Sequence, residues 1–467
     1  MTDLIYPTID LFLYDLRYSL GDSPEEVDKN RQNFRNKFPE TIRLLLQNDE
    51  DIDGEYVHII ANESAISAPL QSLEIGYEGY YYPVLLGDSY GLQIECALNK
   101  ETEIEPDQYF LKIKEKILEK LNRTEATIGQ TWMLSGWLSP SESENQEEIA
   151  KACYKSFMPN RDWEEDLEGQ GHFIGATIFE LIQSEQHTII VIYPDEGTLI
   201  NSGKFYADWM RLFYYRHKIV WAYTQSRIIK KSIQTYFSII KSGSDSVEQR
   251  RSKRSELEAL RQTLVEVQNM LNDYTRELTL LDFQGGTIDI NKMNYEKRLG
   301  TIKQKAKKIA PSAETELKFL NEFSKLAKDK YQLQIAKDSE NLERGFKFLS
   351  DTINAVRSRV EVAKAESDRN FQDAITILGV GWSVGSFVAS RPNLGKDSKD
   401  PVRLFLTNSP NSPLVPKPLL EPAIPLMYTL SVALIAAALA WLLIRLWPGL
   451  ASVIPKLGSV IPKSKKE

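Results

Sequence analysis

One segment of the chain sets carboxylates at ligand spacing. Asp49-x-Asp51-x-Asp53-Gly54 places oxygen donors at alternate positions and ends on the glycine that a tight cation loop needs. An EF-hand closes with a bidentate Glu, and the equivalent position here is Ile60. Two readings stay open: a weaker oxygen-ligand site, or an ordinary acidic surface turn. His58, His172, His187 and His217 are scattered without metal-ligand spacing, and no P-loop, dinucleotide fingerprint or nucleophile elbow occurs. Cys96 and Cys153 sit in no recognisable nucleophile context and are too few for a disulfide framework, which fits a reducing compartment. The expectation is a non-enzyme with no catalytic residue, cofactor or dedicated metal site.

A second set of candidates lies on a long helical seam. Leu342, Phe346, Leu349, Ile353, Val356, Val360 and Ala363 step alternately by four and three, the a/d pattern of a coiled coil. Carried forward, the same register meets Ser367, Asn370, Ala374, Ile377, Gly381 and Val384, so small or polar groups replace the large apolar ones. Around a symmetry axis Asn370, Asp373, Ala374, Ile377 and Gly381 would line a narrow pore, with Asp368 and Asp373 attracting cations. The alternative is close helix packing, for which Gly381 and Gly385 supply a G-x-x-x-G pair.

The elements that must position these residues fall into two classes. A chain of 467 residues exceeds one ordinary globular core. Its formal charge of −8 argues against nucleic acid as a partner. Residues 1–197 read as an α/β domain. Strands are expected at Ile9–Leu16, Tyr56–Ile60, Thr127–Leu138, Phe173–Ile182 and Thr188–Tyr193, with a hairpin over Leu73–Tyr82 and Leu92–Leu98. Helices are expected over Glu25–Phe38, Glu40–Gln47, Gln108–Leu121 and Gln146–Phe157. Residues 198–370 read as a stalk of long helices. Phe205–Lys241 carries aromatic residues on several sides and should be buried against the α/β domain. A turn at Ser242–Ser246 leads to a second helix that Gly285-Gly286 ends, and a third begins after Pro311. Short turns make these neighbours antiparallel.

The rest reads as a two-helix transmembrane hairpin. The first span is 371–390, the loop 391–425, the second span 426–448 and the basic tail 449–467. Its strongest element is the run Tyr428–Trp447, which carries no charge before Arg445. With no signal peptide evident at the start, both termini are expected in the cytoplasm and the lipid bilayer is a partner. This order of parts resembles the CorA-type divalent-cation channels, although those proteins carry Gly-Met-Asn where this chain has Ser390-Arg391-Pro392-Asn393. The resemblance implies a pentamer and a divalent cation as cargo. The sequence therefore suggests a homo-oligomeric, multi-pass membrane protein of α+β class, a cation channel or transporter. The other reading is a non-conducting sensor or scaffold whose α/β domain binds a ligand or a protein.

Overall fold

The computed structural model describes residues 4–50, 52, 54–60, 67–70, 73, 76–98, 108–122, 125–138, 145–183, 186–249 and 254–364. The elements follow in chain order: β1 Leu4–Leu16, α1 Pro24–Arg35, α2 Glu40–Arg43, β2 Val57–His58, β3 Ala68–Pro69, β4 Tyr77–Leu86 and β5 Ser89–Leu98. Next come α3 Tyr109–Lys120, β6 Gly129–Leu138, α4 Gln146–Phe157, α5 Trp163–Asp166, β7 Leu167–Phe173, β8 Ala176–Gln183 and β9 Gln186–Tyr193. The helical part comprises α6 Glu196–Ser202, α7 Tyr206–Gln249, α8 Arg254–Ile309, α9 Lys318–Leu326 and α10 Leu333–Lys364.

Local chemistry explains the ends of these elements. Ser23 accepts from the Glu26 amide while the Glu26 carboxylate accepts from the Ser23 amide, a capping box with Pro24 in the first turn. The β4–β5 hairpin turns at Gly87, whose φ of +63° suits glycine. The sheet order is β2-β4-β5-β1-β6-β9-β8-β7, with β3 also on β4. All pairings are antiparallel except β6 with β9.

Side-chain alternation along β1 divides the two faces of this sheet. Ile9, Leu11 and Leu13 join one continuous apolar core with Phe34, Ile113, Ile117, Ile149 and Phe157 from α1, α3 and α4. The even residues Thr8, Asp10, Phe12 and Tyr14 point to the opposite face, where α7 lies: Phe12 meets Phe213 edge-on at 5.3 Å and the Tyr14 hydroxyl donates to the Met210 carbonyl at 2.8 Å. The first turns of α7 are buried nearly all round, as the aromatic residues on several sides of Phe205–Lys241 predict.

The chain divides into two units, residues 1–246 with 261–350 and residues 247–260 with 351–467. Within the first, α7, α8 and α10 form a helical arm. Asp208 bonds Arg298 and Lys305, whereas Gly243 lies near Val267, so α8 runs antiparallel to α7. Lys230 pairs with Asp338 and, further along both helices, Phe237 stacks on Phe348, so α10 runs parallel to α7. In the second unit Ile353 and Val356 of α10 are buried, as the stalk seam predicts.

Several expectations need correction. α7 continues as helix through Ser242–Ser246. α8 passes through Gly285-Gly286, because the seam Leu281, Ile288 and Tyr295 is fully buried and outweighs the weak helix propensity of glycine, about 1 kcal/mol each. The third helix does not start after Pro311. The sheet edge captures that segment instead: Glu316 exchanges two backbone hydrogen bonds with His172 of β7, at 2.7 and 2.9 Å, before α9 begins. A π-helical stretch, Ala327–Gln332, then separates α9 from α10. The sequence reading also misses β7 as a strand of its own.

The largest correction concerns the membrane. Among the described residues no helix is long and apolar enough to cross a bilayer. The long helices owe their apolar stripes to packing on one another and on the sheet, and they carry ionisable groups such as Arg216, Lys230 and Asp338. The α+β class stands as a mixed sheet domain with long helices, but without the transmembrane hairpin. The membrane, ion-transport and multi-pass assignments are withdrawn with it. Residues 371–390 and 426–448 lie outside the described residues, as do Asn370, Asp373, Ala374, Ile377, Gly381 and Gly385.

Candidate functional site

The expected cation loop is organised by arginines. Asp49 is 1% exposed, and Arg17, Arg31 and Arg35 bring guanidinium nitrogens within 3.6–3.8 Å of its carboxylate. The Tyr90 hydroxyl also donates to it at 2.5 Å. With three guanidinium groups around it, the Asp49 carboxylate is already neutralised and pins α1 to the hairpin. Asp51 and Asp53 lie outside the described residues. No group of three or more His, Cys, Asp or Glu suited to a metal ion occurs among the described residues.

Polar groups gather instead on the α7 face of the sheet, where an apolar layer would ordinarily lie. The first cluster joins three strands and a helix. Thr131 of β6 and His187 of β9 are register partners across the parallel pair, and Glu180 of β8 stands on the same face. His217 descends from α7. Thr131 Oγ1 lies 2.8 Å from His187 Nδ1 and 2.7 Å from His217 Nε2, while His187 Nε2 lies 3.0 Å from Glu180 Oε1. Arg216 neutralises Glu180 at 3.3 Å and lays its guanidinium over the Phe323 ring at 4.4 Å.

This geometry fixes the protons. With the Glu180 carboxylate as acceptor, His187 carries its proton on Nε2 and accepts from the Thr131 hydroxyl at Nδ1. Thr131 in turn accepts from His217 Nε2–H. Burial holds both imidazoles well below the usual histidine range, with the Arg216 charge acting in the same direction. Both rings are therefore neutral and sealed from solvent. Gly129 makes room for them: a Cβ there would lie 2.5 Å from His217 Nδ1.

The second cluster lies at the head of α7. Asp10 and Glu95 are register partners across β1 and β5 and share the α7 face. Gln93 Nε2 donates to Asp10 Oδ1 at 2.7 Å, Tyr206 Oη lies 3.2 Å from Asp10 Oδ2, and Tyr80 donates to Glu95 at 2.8 Å. Neither carboxylate forms an ion pair with a Lys, Arg or His among the described residues, unlike buried Asp15, Asp49, Glu180, Asp208 and Asp338. Burial pushes Asp10 well above the usual carboxylate range, and the neighbouring Glu95 charge adds to the shift. Burial also pushes Glu95 up to about 7, against the lowering effect of Tyr80.

Tyr6 completes the rim of this cluster. A β-bulge between Ile5 and Thr8 turns it to a φ of +56°, uncommon for a bulky side chain, and aims its hydroxyl at Glu78. Its ring stacks on Trp137 at 5.5 Å. Opposite the bulge, a Cβ at Gly136 would lie 2.6 Å from the Leu4 side chain.

Comparison with family models, with curated proteins and with solved structures finds no significant match to this chain. The arrangement must be read from its own residues. The two cysteines are buried, and burial pushes both thiols up to about 12, so neither is a ready nucleophile. Sequence reasoning treats His187 and His217 as unrelated and does not connect Asp10 with Glu95. Asp10 is nonetheless visible as a charge inside an apolar strand, and that is the signal that leads to this cluster.

Proposed function

We propose that the protein is a non-catalytic sensor scaffold. Its α/β domain receives a signal at the polar face of the sheet, and its helical arm presents the resulting state to other copies of the chain. The observation that carries this reading is the double role of α7. Residues Tyr206 to Lys218 cover the sheet and bond Asp10, Thr131 and Asp88, while Arg227 and Lys230 of the same unbroken helix grip Asp338 in the arm. A disturbance under the head of α7 has a continuous rigid path into the arm.

Self-association through the arm is supported by what that part leaves uncovered. Most of the large apolar side chains that remain exposed among the described residues lie on α7 to α10, including Ile228, Ile290, Met293, Leu333 and Phe348. Ile290 and Met293 stand one turn apart on α8, at 48% and 63% exposure. The cation-channel reading depends on the hairpin and is not carried forward.

Sedimentation velocity of the full chain over a concentration series tests the proposal. The expected result is a mass above that of the monomer, reduced by the double substitution Ile290→Lys with Met293→Lys. A monomer at every concentration, or an oligomer indifferent to that substitution, counts against it.

A further inference from the structure

We propose that Asp10 and Glu95 bind a shared proton in the folded protein and that Tyr206 passes the loss of that proton to α7. The inference deepens the sensor-scaffold reading, on which it rests, by naming the signal as hydrogen-ion activity.

The two carboxylates are adjacent in register on one face, Asp10 is fully buried, and no cation pairs with either among the described residues. Two like charges at neighbouring positions, one fully buried and the other half-buried, repel strongly, so the pair keeps a proton that isolated carboxylates would lose. Further titratable groups face the pair. They are Tyr6 on β1, Glu78, Tyr80 and Tyr82 on β4, Tyr193 on β9 and Tyr206 on α7. Burial leads the upward shift of each of these tyrosines, and Glu78 adds repulsion at Glu95. Tyrosines can donate to or accept from a carboxyl group without carrying charge, which suits a site that changes by one proton.

The position of the proton follows from the donors. Gln93 donates to Asp10 Oδ1, so a neutral Asp10 carries its proton on Oδ2, the oxygen facing Tyr206. In that state Oδ2–H donates and the Tyr206 hydroxyl accepts, leaving the tyrosine proton free for another partner. When the proton leaves to bulk water, Oδ2 becomes an acceptor and Tyr206 must donate to it. The first residue of α7 thus reverses its hydrogen bond with each cycle. Linkage makes the relation reciprocal: if Tyr206 alters the proton affinity of the pair, the proton alters the hold on Tyr206.

Difference infrared titration of the full chain reads the pair directly through the stretching band of protonated carboxyl groups. The wild type is expected to lose such a band around neutral pH, and the isosteric double variant D10N/E95Q to lack it. Tyr206→Phe removes a donor to the ionised state and should shift the midpoint upward, with the ring packing retained. Absence of a titrating band attributable to the pair overturns the proposal, and a midpoint indifferent to Tyr206→Phe overturns its link to α7. A band that titrates and responds to Tyr206 in a chain that sediments only as a monomer supports the proton site and sinks the scaffold reading alone.

Discussion

Asp10 and Glu95 face each other across β1 and β5 without a counter-cation among the described residues, whereas Asp15, further along β1 on the opposite side of the side-chain alternation, is paired with Lys37 at 3.2 Å. β1 passes between the two layers, so carboxylates on one strand meet opposite environments. Asp15 is tied to the helical layer through Lys37, and Asp10 is buried beside its own kind beneath the head of α7.

Glu95 gives the folded protein a pH dependence of known sign. In the unfolded chain it titrates near 4.5, and in the folded chain the pair it forms with Asp10 keeps its proton up to about 7. The folded state therefore binds the proton more tightly. Its contribution is fully present below about 4.5 and is lost as pH rises through about 7. Urea midpoints of the wild type should fall across that window, and E95Q should flatten the fall. An unchanged slope in E95Q would show that Glu95 is not its source.

The histidines act in the opposite sense. His187 and His217 titrate near 6.5 when unfolded but are held far lower when folded, so their contribution is lost as pH falls below about 6.5. Each adds up to about 1.4 kcal/mol per pH unit on the acid side. His217→Gln keeps an amide donor for Thr131 and should remove about half of the acid-side slope in the same denaturation series.

The Thr131 hydroxyl is the bridge between those rings. Thr131→Val keeps the shape but leaves two buried imidazole nitrogens without a partner, which should cost about 2–4 kcal/mol of unfolding free energy. Thr131→Ser should cost less than about 1.5 kcal/mol, since the hydroxyl remains and only a methyl is lost. Equal losses in the two variants would mean that packing, and not the hydrogen-bond chain, is what the residue supplies.

The glycines of α8 discriminate between a continuous helix and a helix end. A Cβ at Gly285 would meet Ile335 at 3.5 Å, an ordinary contact, and one at Gly286 meets nothing within 4 Å. Gly285→Ala and Gly286→Ala should each raise the thermal midpoint, by the equivalent of roughly 0.5–1 kcal/mol. At a glycine-terminated helix end with positive φ the same changes would lower it.

Periodicity made most of this fold legible. Gln146–Phe157 coincides with α4, and the hairpin, the buried head of α7 and the stalk seam at Leu349, Ile353 and Val356 follow the apolar pattern. Local signals misled where tertiary contacts prevailed. Gly285-Gly286 looks like a stop until the seam on either side is counted, and Pro311 looks like a helix start until Glu316 is seen on the edge of β7. The acidic spacing at Asp49 suggested a cation ligand because its arginine partners come from β1's end and α1. The site itself depends on register: nothing in the local sequence brings Glu95 opposite Asp10, or His217 onto Thr131.

Hydrogen exchange along α7, compared between the wild type and E95Q above neutral pH, tests the central claim most directly. In the variant position 95 cannot ionise, so Asp10 keeps its proton, whereas the wild-type pair has lost the proton it holds. If the polar face of the sheet and the arm act as one body through α7, E95Q slows amide exchange from Tyr206 onward and into the stretch around Arg227 and Lys230 that grips Asp338. Slowing confined to β1, β4 and β5, with α7 unchanged, would contradict it.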